Sequence, residues 1–408
     1  MQSEKMEVWK TQLQEYFYNE VDITREVTDE EISEMLNAGL HALAKECYIS
    51  VLERQIVKKN VFYAVRKLDV LQTLLEDDSI TEIMINGYDT IYVERAGRLF
   101  RWDKTFDSKE KLEDVVQQIT SACNRTVNEA SPIVDARLPN GARVNVVLPP
   151  VALNGPIVTI RRFPEHPIQM EDLIRFGALD KEVADFLKML VKAKYNIFIS
   201  GGTGSGKTTF LNALSSFIPS EERIITIEDS AELQIQGIGN LVRLETRAMN
   251  GEGSREITIR DLIKASLRMR PDRVVVGEIR GAEAVDLLSA MNTGHDGSLS
   301  TGHGNSPGDM LSRMETMVLM GMDIPLESVR RQIASAIDIM VHLGRLRDKS
   351  RKVLEISEIT GMDNGEIQIR PLYIFEEEKE VEGKILGKLV SKQSLFAVDK
   401  LKAAGLYQ

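Results

Sequence analysis

The run Gly201-Gly202-Thr203-Gly204-Ser205-Gly206-Lys207-Thr208-Thr209 holds the residue types that grip a chain of phosphates. Glycines let successive main-chain N–H groups turn inward around an anion. A lysine neutralises the terminal oxygens, a hydroxyl such as that of Thr208 suits Mg²⁺, and a helix opening there adds positive potential. The pattern G-x-x-x-x-G-K-[ST] follows an apolar run that reads as a strand and precedes one that reads as a helix, the context such a loop needs. The chemistry this permits is binding of ATP with Mg²⁺ and attack of water on the terminal phosphate.

Two further apolar runs end in acid. Ile224-Ile225-Thr226-Ile227 leads into Glu228-Asp229, and Val274-Val275-Val276-Gly277 leads into Glu278. A strand that ends in a carboxylate delivers it to the carboxyl edge of a parallel sheet, where such folds build their sites. Gly277 stands where an Asp commonly helps to hold the metal. Support for Mg²⁺ is therefore expected from Thr208, Glu228 and Asp229, the acids in part through water, leaving Glu278 to orient or deprotonate the attacking water. The segment from Asn292 to His303 sets His295 and His303 among small residues, as a loop that approaches a ligand closely requires. One of the two, preferentially His303, is expected at the terminal phosphate. Met310, Met314 and Met317 recur at helical spacing and read as core or subunit contact.

The elements around these groups follow from periodicity. Residues 1–60 are charged, lack proline and hold one glycine, Gly39, which predicts a helical segment whose packing partner is not readable. Residues 61–163 form an α+β domain: strands around Asn86-Gly87, a helix after Ser108 with Leu112, Val115, Val116 and Ile119 on one face, and strands near 143–148 and 157–163. Pro164 and Pro167 mark a linker over 164–179. Over 180–375 strands at 195–200, 223–228, 273–278 and 298–303 alternate with helices, which predicts a mostly parallel sheet. Strands then continue to Phe375, with Asp363-Asn364-Gly365 as a hairpin turn. Residues 376–408 read as a C-terminal tail that opens on an acidic run of solvated surface.

Composition narrows the partners. The 408 residues carry 51 Lys and Arg against 62 Asp and Glu, a net charge of −11. That sign opposes the counterion release that drives non-specific nucleic-acid binding. Cys47 and Cys123 are too few for a disulfide framework or a four-cysteine zinc site, and a reducing, cytoplasmic compartment fits them. No run approaches the roughly 20 apolar residues of a membrane span, so any membrane association is expected to be peripheral.

Taken together, the phosphate loop, Ile227–Leu233, Leu267-Arg268-Met269-Arg270-Pro271-Asp272, Gly277-Glu278-Ile279-Arg280 and the double-histidine segment resemble the secretion ATPase superfamily of type II and type IV machines. Upstream, Glu76–Gly87 and Ser131–Asn145 look like its tight-adherence pilus branch, often called CpaF-type. The resemblance implies a RecA-like ATPase domain after an α+β N-terminal domain, with ATP sandwiched between the two in a homo-hexameric ring. It also implies motion that drives an inner-membrane platform protein to assemble or retract a pilus, the chain lying on the cytoplasmic side. On that model Arg137 and Arg143, with Arg161 and Arg162, reach toward the phosphates, and Arg247 is a further candidate. Pilus-extension relatives carry a four-cysteine insert that this chain lacks. The family places an aliphatic residue before its second histidine and alanine after it; Gly302 and Gly304 here lower the rigidity expected of His303. The glycine-rich loop Met249–Ser254 predicts mobility between nucleotide states. A type IV secretion traffic ATPase, a nucleotide-gated scaffold and a RecA-like nucleic-acid translocase are the alternatives.

Overall fold

A computed structural model describes residues 2–22, 24–25, 27–95, 97–138, 140–162, 167–247 and 255–407. Two compact units divide the chain, Met1–Glu165 and His166–Gln408. The junction at 163–166 and the loop Met249–Ser254, both singled out in the sequence, lie outside the described residues.

In the first unit, helix α1 (Gln2–Glu20) precedes α2 (Asp29–Glu46) and α3 (Val51–Arg66). Thr28 with Glu31, and Ser50 with Glu53, start the second and third through reciprocal capping boxes. The three helices pack on one another around Leu13, Phe17, Leu36 and Val57, so the packing partner that the sequence leaves unreadable is the segment itself. Lys10 Nζ bonds Asp107 at 2.9 Å and Lys111 Nζ bonds the Ala64 carbonyl at 2.7 Å, which joins the helices to the rest of the unit.

Helix α4 (Val70–Leu75) then leads into strands β1 (Ile80–Asn86), β2 (Ile91–Arg95) and β3 (Arg98–Arg101), helix α5 (Lys109–Ala122), and strands β4 (Ile133–Arg137), β5 (Arg143–Val147) and β6 (Ile157–Arg161). The six strands form one antiparallel sheet in the order β3-β2-β1-β6-β5-β4. Alternation along β5 and β6 buries Val144, Val146, Val158 and Ile160 with the apolar face of α5.

The second unit opens with α6 (Met170–Arg175), α7 (Lys181–Lys192), β7 (Ile197–Gly201), α8 (Lys207–Ser215), β8 (Arg223–Glu228) and β9 (Asn240–Glu245). It continues with α9 (Ile259–Ser266), β10 (Arg273–Val276), α10 (Ala284–Asn292), β11 (Leu299–His303), α11 (Pro307–Gly321) and α12 (Leu326–Ala336). Last come β12 (Ile339–Arg345), β13 (Arg351–Asp363), β14 (Glu366–Val381), β15 (Lys384–Ser391) and α13 (Asp399–Ala403). The sheet order is β15-β14-β13-β12-β7-β11-β10-β8-β9, parallel from β12 to β9 and antiparallel beyond. One face is packed by α7 and α8, the other by α9 to α12, among them Met310, Met314 and Met317, which are core. Asn364 and Gly365, at φ 50° and 80°, turn β13 into β14 with the left-handed pair that such hairpins favour.

Two expectations about the ends of this unit are corrected. The stretch 164–179 holds a helix, α6, and buries Met170 and Leu179 in the core. Glu376–Glu380 are exposed, as the acidic run suggested, but the residues after Phe375 are not a detached tail. β14 runs to Val381, and β15 and α13 insert Leu389 and Leu401 into the same core. The acidic run is half of a charged strand ladder: Lys388 pairs with Glu378 at 3.0 Å, and Arg347 reaches Glu377 and Glu380. A charge run read without its cross-strand partners looks like surface alone.

Beneath the sheet, the fully buried Arg273 makes a two-pronged ion pair with Glu222 at 2.6 and 2.9 Å and donates to the Val191 carbonyl at 2.6 Å. Removing one partner of such a pair strands the other charge in the interior. Arg273→Ala is expected to destabilise the second unit by about 3–5 kcal/mol, read from urea unfolding; a loss below about 1 kcal/mol would show that the pair is dispensable.

Candidate functional site

The carboxyl ends of β7, β8, β10 and β11 lie side by side, because Gly201 pairs with His303, Val276 with Ser300, and Ile227 with Val276. This edge of a parallel sheet is where ligands bind in such folds. It gathers Lys207, Glu228, Glu278 and His303, the groups that the sequence placed on separate runs.

The phosphate loop turns sharply between β7 and α8. Gly204 and Gly206 have φ 73° and 94°, which side-chain-bearing residues rarely adopt, and a Cβ on Gly201 would stand 2.5 Å from the Leu343 carbonyl oxygen. Thr203, Ser205, Thr208 and Thr209 supply the hydroxyls; that of Ser205 is buried with no hydrogen-bond partner. Lys207, 8% exposed, donates to the carbonyls of Gly201 and Gly202 at 3.1 and 3.2 Å and to His303 Nδ1 at 3.2 Å. Burial lowers its affinity for the proton, and the Glu278 carboxylate opposes that.

His303 carries the contact onward. Its Nε2 lies 2.8 Å from Glu278 Oε1, an ion-pair contact rather than an aligned hydrogen bond, on the far side of the ring from the Nδ1 that meets Lys207. Burial, Lys207, Arg280 and Arg313 lower its pKa, and Glu278 raises it. Arg280 grips the other Glu278 oxygen at 2.6 and 3.0 Å and lies 3.5 Å from Asp229. The result is an unbroken line, Lys207 to His303 to Glu278 to Arg280. The glycines beside His303 do not loosen it. A Cβ on Gly302 would come within 2.8 Å of Met310 Cε, and one on Gly304 within 2.9 Å of Met310 Cβ, so the room they leave is filled by α11, and the lower rigidity expected there is corrected.

Glu228 sits apart from that line. It is buried, and its Oε1 accepts from the Glu232 and Leu233 N–H groups at 2.8 and 2.9 Å, while Oε2 has no hydrogen-bond partner. Desolvation raises its pKa to about 7 against those two donors. Gly277 explains itself here: a Cβ would meet Glu228 Cγ at 2.9 Å, so the carboxylate fills the place an Asp side chain would need. Among the described residues no three His, Cys, Asp or Glu converge to hold a metal ion. Thr208, Glu228 and Asp229 thus fit Mg²⁺ only as helpers of phosphate oxygens, with the half-exposed Asp229 the acid open to water.

Other expected residues fall elsewhere. His295 precedes β11 and His303 ends it, which separates the two by roughly 13 Å of strand; His295 contacts the Ala290 carbonyl at 3.3 Å and does not join the site. Arg247 bridges Ile257 and donates to the Arg255 carbonyl at 3.2 Å. In the first unit Arg162 is engaged by Asp78 at 2.9 Å and by the Asp77 and Ile80 carbonyls, so its role is to fasten the start of β1. Arg137, Arg143 and Arg161 instead occupy one row across β4, β5 and β6, ending at Glu82 on β1. Arg351, not singled out in the sequence, donates to the Gly204 carbonyl at 2.9 Å; the signal was the basic stretch Arg345–Lys352 in the β12–β13 turn.

Residues 65–379 match the family model described as type II/IV secretion system protein. Conjugal transfer protein TrbB of Rhizobium radiobacter is 32% identical over 326 residues, covering 78% of this chain and 97% of that protein. Type IV secretion system protein VirB11 of Bartonella henselae is 29% identical over 361 residues, covering 79% and 96%. Among solved structures, the pilus retraction motor PilT with bound ADP superposes with a TM-score of 0.52 at 18% identity, over 82% of this chain and 84% of that one; that likeness is one of fold.

The raised pKa of Glu228 has a signed consequence. The folded state holds a proton that the unfolded state releases between about pH 4.5 and 7, so Glu228 costs stability as pH rises through that window. Glu228→Gln is expected to gain up to about 3 kcal/mol on wild type between pH 5 and pH 8. Unfolding free energies at the two pH values check this, and a gap that does not change with pH would show that the carboxylate is not desolvated.

Proposed function

Since the chain belongs to the type II/IV secretion ATPase superfamily, we propose that it is an ATP-hydrolysing motor working as a homo-hexamer in a secretion or pilus machine. The observation that carries the reading is the line from Lys207 through His303 to Glu278, which joins a phosphate-binding cation to a carboxylate suited to orient the attacking water. Lys207 and the N–H groups of 202–208 bind the phosphates, His303 meets the terminal one, and Glu278 orients or deprotonates the water. Thr208, with Asp229 and Glu228 through water, holds Mg²⁺, which when bound neutralises charge on the transferred phosphoryl group. Arg137, Arg143 and Arg161 stand in register on neighbouring strands, and the expectation that first-unit arginines serve the phosphates stays with them.

The finer reading concerns the machine. The names of the TrbB and VirB11 relatives support the type IV secretion traffic alternative over the tight-adherence branch, which rests on the motifs at 76–87 and 131–145 alone. In either case the partner is an inner-membrane platform reached from the cytoplasmic side. Among the described residues no helix is long and apolar enough to cross a membrane.

Lys207→Ala is expected to abolish ATP binding, and Glu278→Gln to keep binding while turnover falls by about 10²-fold or more. Equilibrium binding and phosphate release measured on both variants test the division of roles, and equal loss of binding in both would end it. Turnover per subunit should rise with protein concentration if the ring is the active form. Arg143→Ala should lower turnover by up to about 10³-fold with the melting temperature within about 2 °C of wild type; a large thermal shift would instead assign the arginine to the sheet.

A further inference from the structure

One buried polar group that this mechanism leaves unused lies one row back from the phosphate loop. His342 on β12 pairs with Ser200 on β7, and Ser200 pairs with Gly302 on β11. In-register neighbours in a parallel sheet project to the same face, so the three residues form one row across the strands that flank the loop. His342 is only 7% exposed, its Nδ1 lies 2.9 Å from Ser200 Oγ, and the ring also faces the main chain of Asn305. Ser200 immediately precedes Gly201, and Asn305 stands two residues after His303. One imidazole therefore spans the strand that launches the phosphate loop and the turn that carries His303.

The ring is suited to that task in its neutral form. Burial lowers its pKa against the opposing pull of Glu355, its register partner on β13, of Asp309 on α11, and of the Asn305 main chain. A neutral imidazole accepts at one nitrogen and donates at the other. With Nδ1 accepting from the Ser200 hydroxyl, the other nitrogen is left to donate toward the Asn305 main chain. An aliphatic residue would satisfy neither group.

We propose that His342 is a positioning residue for hydrolysis, holding the 303–305 turn against β7 so that His303 keeps its contacts with Lys207 and Glu278. The inference rests on the ATPase reading given above. Its work is done through His303, at no atom of the nucleotide.

The full-length chain tests it through His342→Leu, His342→Gln and Ser200→Ala. His342→Leu should lower kcat about 10-fold or more while the KM for ATP and the affinity for ADP stay within about 3-fold, and amide exchange in the 302–306 segment should quicken. Glutamine offers both an acceptor and a donor and should restore most of the turnover. Ser200→Ala, which removes one oxygen, should lower kcat in the same direction, with no further loss when combined with His342→Leu; it carries the test if the leucine variant does not fold. Wild-type kcat in His342→Leu, equal damage from glutamine, or unchanged exchange at 302–306 would each overturn the proposal. Turnover that needs Lys207 but survives His342→Leu overturns this inference alone, whereas turnover that is no different in Lys207→Ala overturns the ATPase reading, and the exchange measurement still decides the tie.

Discussion

A buried ammonium group is the constraint on which the second unit's active edge depends. Lys207 is almost fully enclosed at the first turn of α8, and a charge removed from water must be met by oriented dipoles and counter-charge. Two loop carbonyls supply the dipoles. His303 passes the contact to Glu278, which Arg280 holds from the far side. The members stand at or beyond the ends of three strands, Glu278 and Arg280 both following β10, so the electrostatics are satisfied only when β7, β10 and β11 are in register.

Space is the second constraint, and glycine marks where it binds. Gly201 makes room for the Leu343 carbonyl, Gly277 for the Glu228 side chain, and Gly302 and Gly304 for Met310. None of these is slack: a close-packed interior transmits the position of one helix to the loop beside it. Helix α11 thereby fixes the backbone under His303 from one side, as the His342 ring spans it from another. Glu228 likewise owes its raised pKa to enclosure behind the site, away from the line that begins at Lys207.

Much of this was legible in the sequence wherever one residue type at one spacing has one physical use. The phosphate loop, the acid-terminated strands and the Asn364-Gly365 turn are of that kind, and so is the helix stripe opened by Ser108. What resisted reading depends on partners distant in the chain. The charge run at 376–380 is solvent-facing as it reads, but that it is also a strand shows only when Arg347 and Lys388 are set opposite it. Arg162 and Arg161 are adjacent and alike, yet alternation along β6 and its exit sends one to the turn before β1 and sets the other opposite Glu82 on β1. His295 and His303 share a motif-like segment, but the strand between them carries them to opposite edges of the sheet. His342 carries no local signal at all, since its meaning lies in Ser200 and Asn305.

The central place of β7 has a consequence for how the protein is made. Its two neighbours, β11 and β12, are encoded far downstream, and Leu343 must reach Gly201 across roughly 140 residues. At about 5–20 residues per second on the ribosome, this largely apolar strand waits about 5–20 s for β11 and about 7–30 s for β12 before both edges are paired. The loop it carries has no fixed shape to offer a nucleotide during that time. A nascent chain of this kind makes the central strand of its second unit early in that unit and covers it late, so the same topology that builds the site prolongs the exposure of an unpaired apolar strand during synthesis.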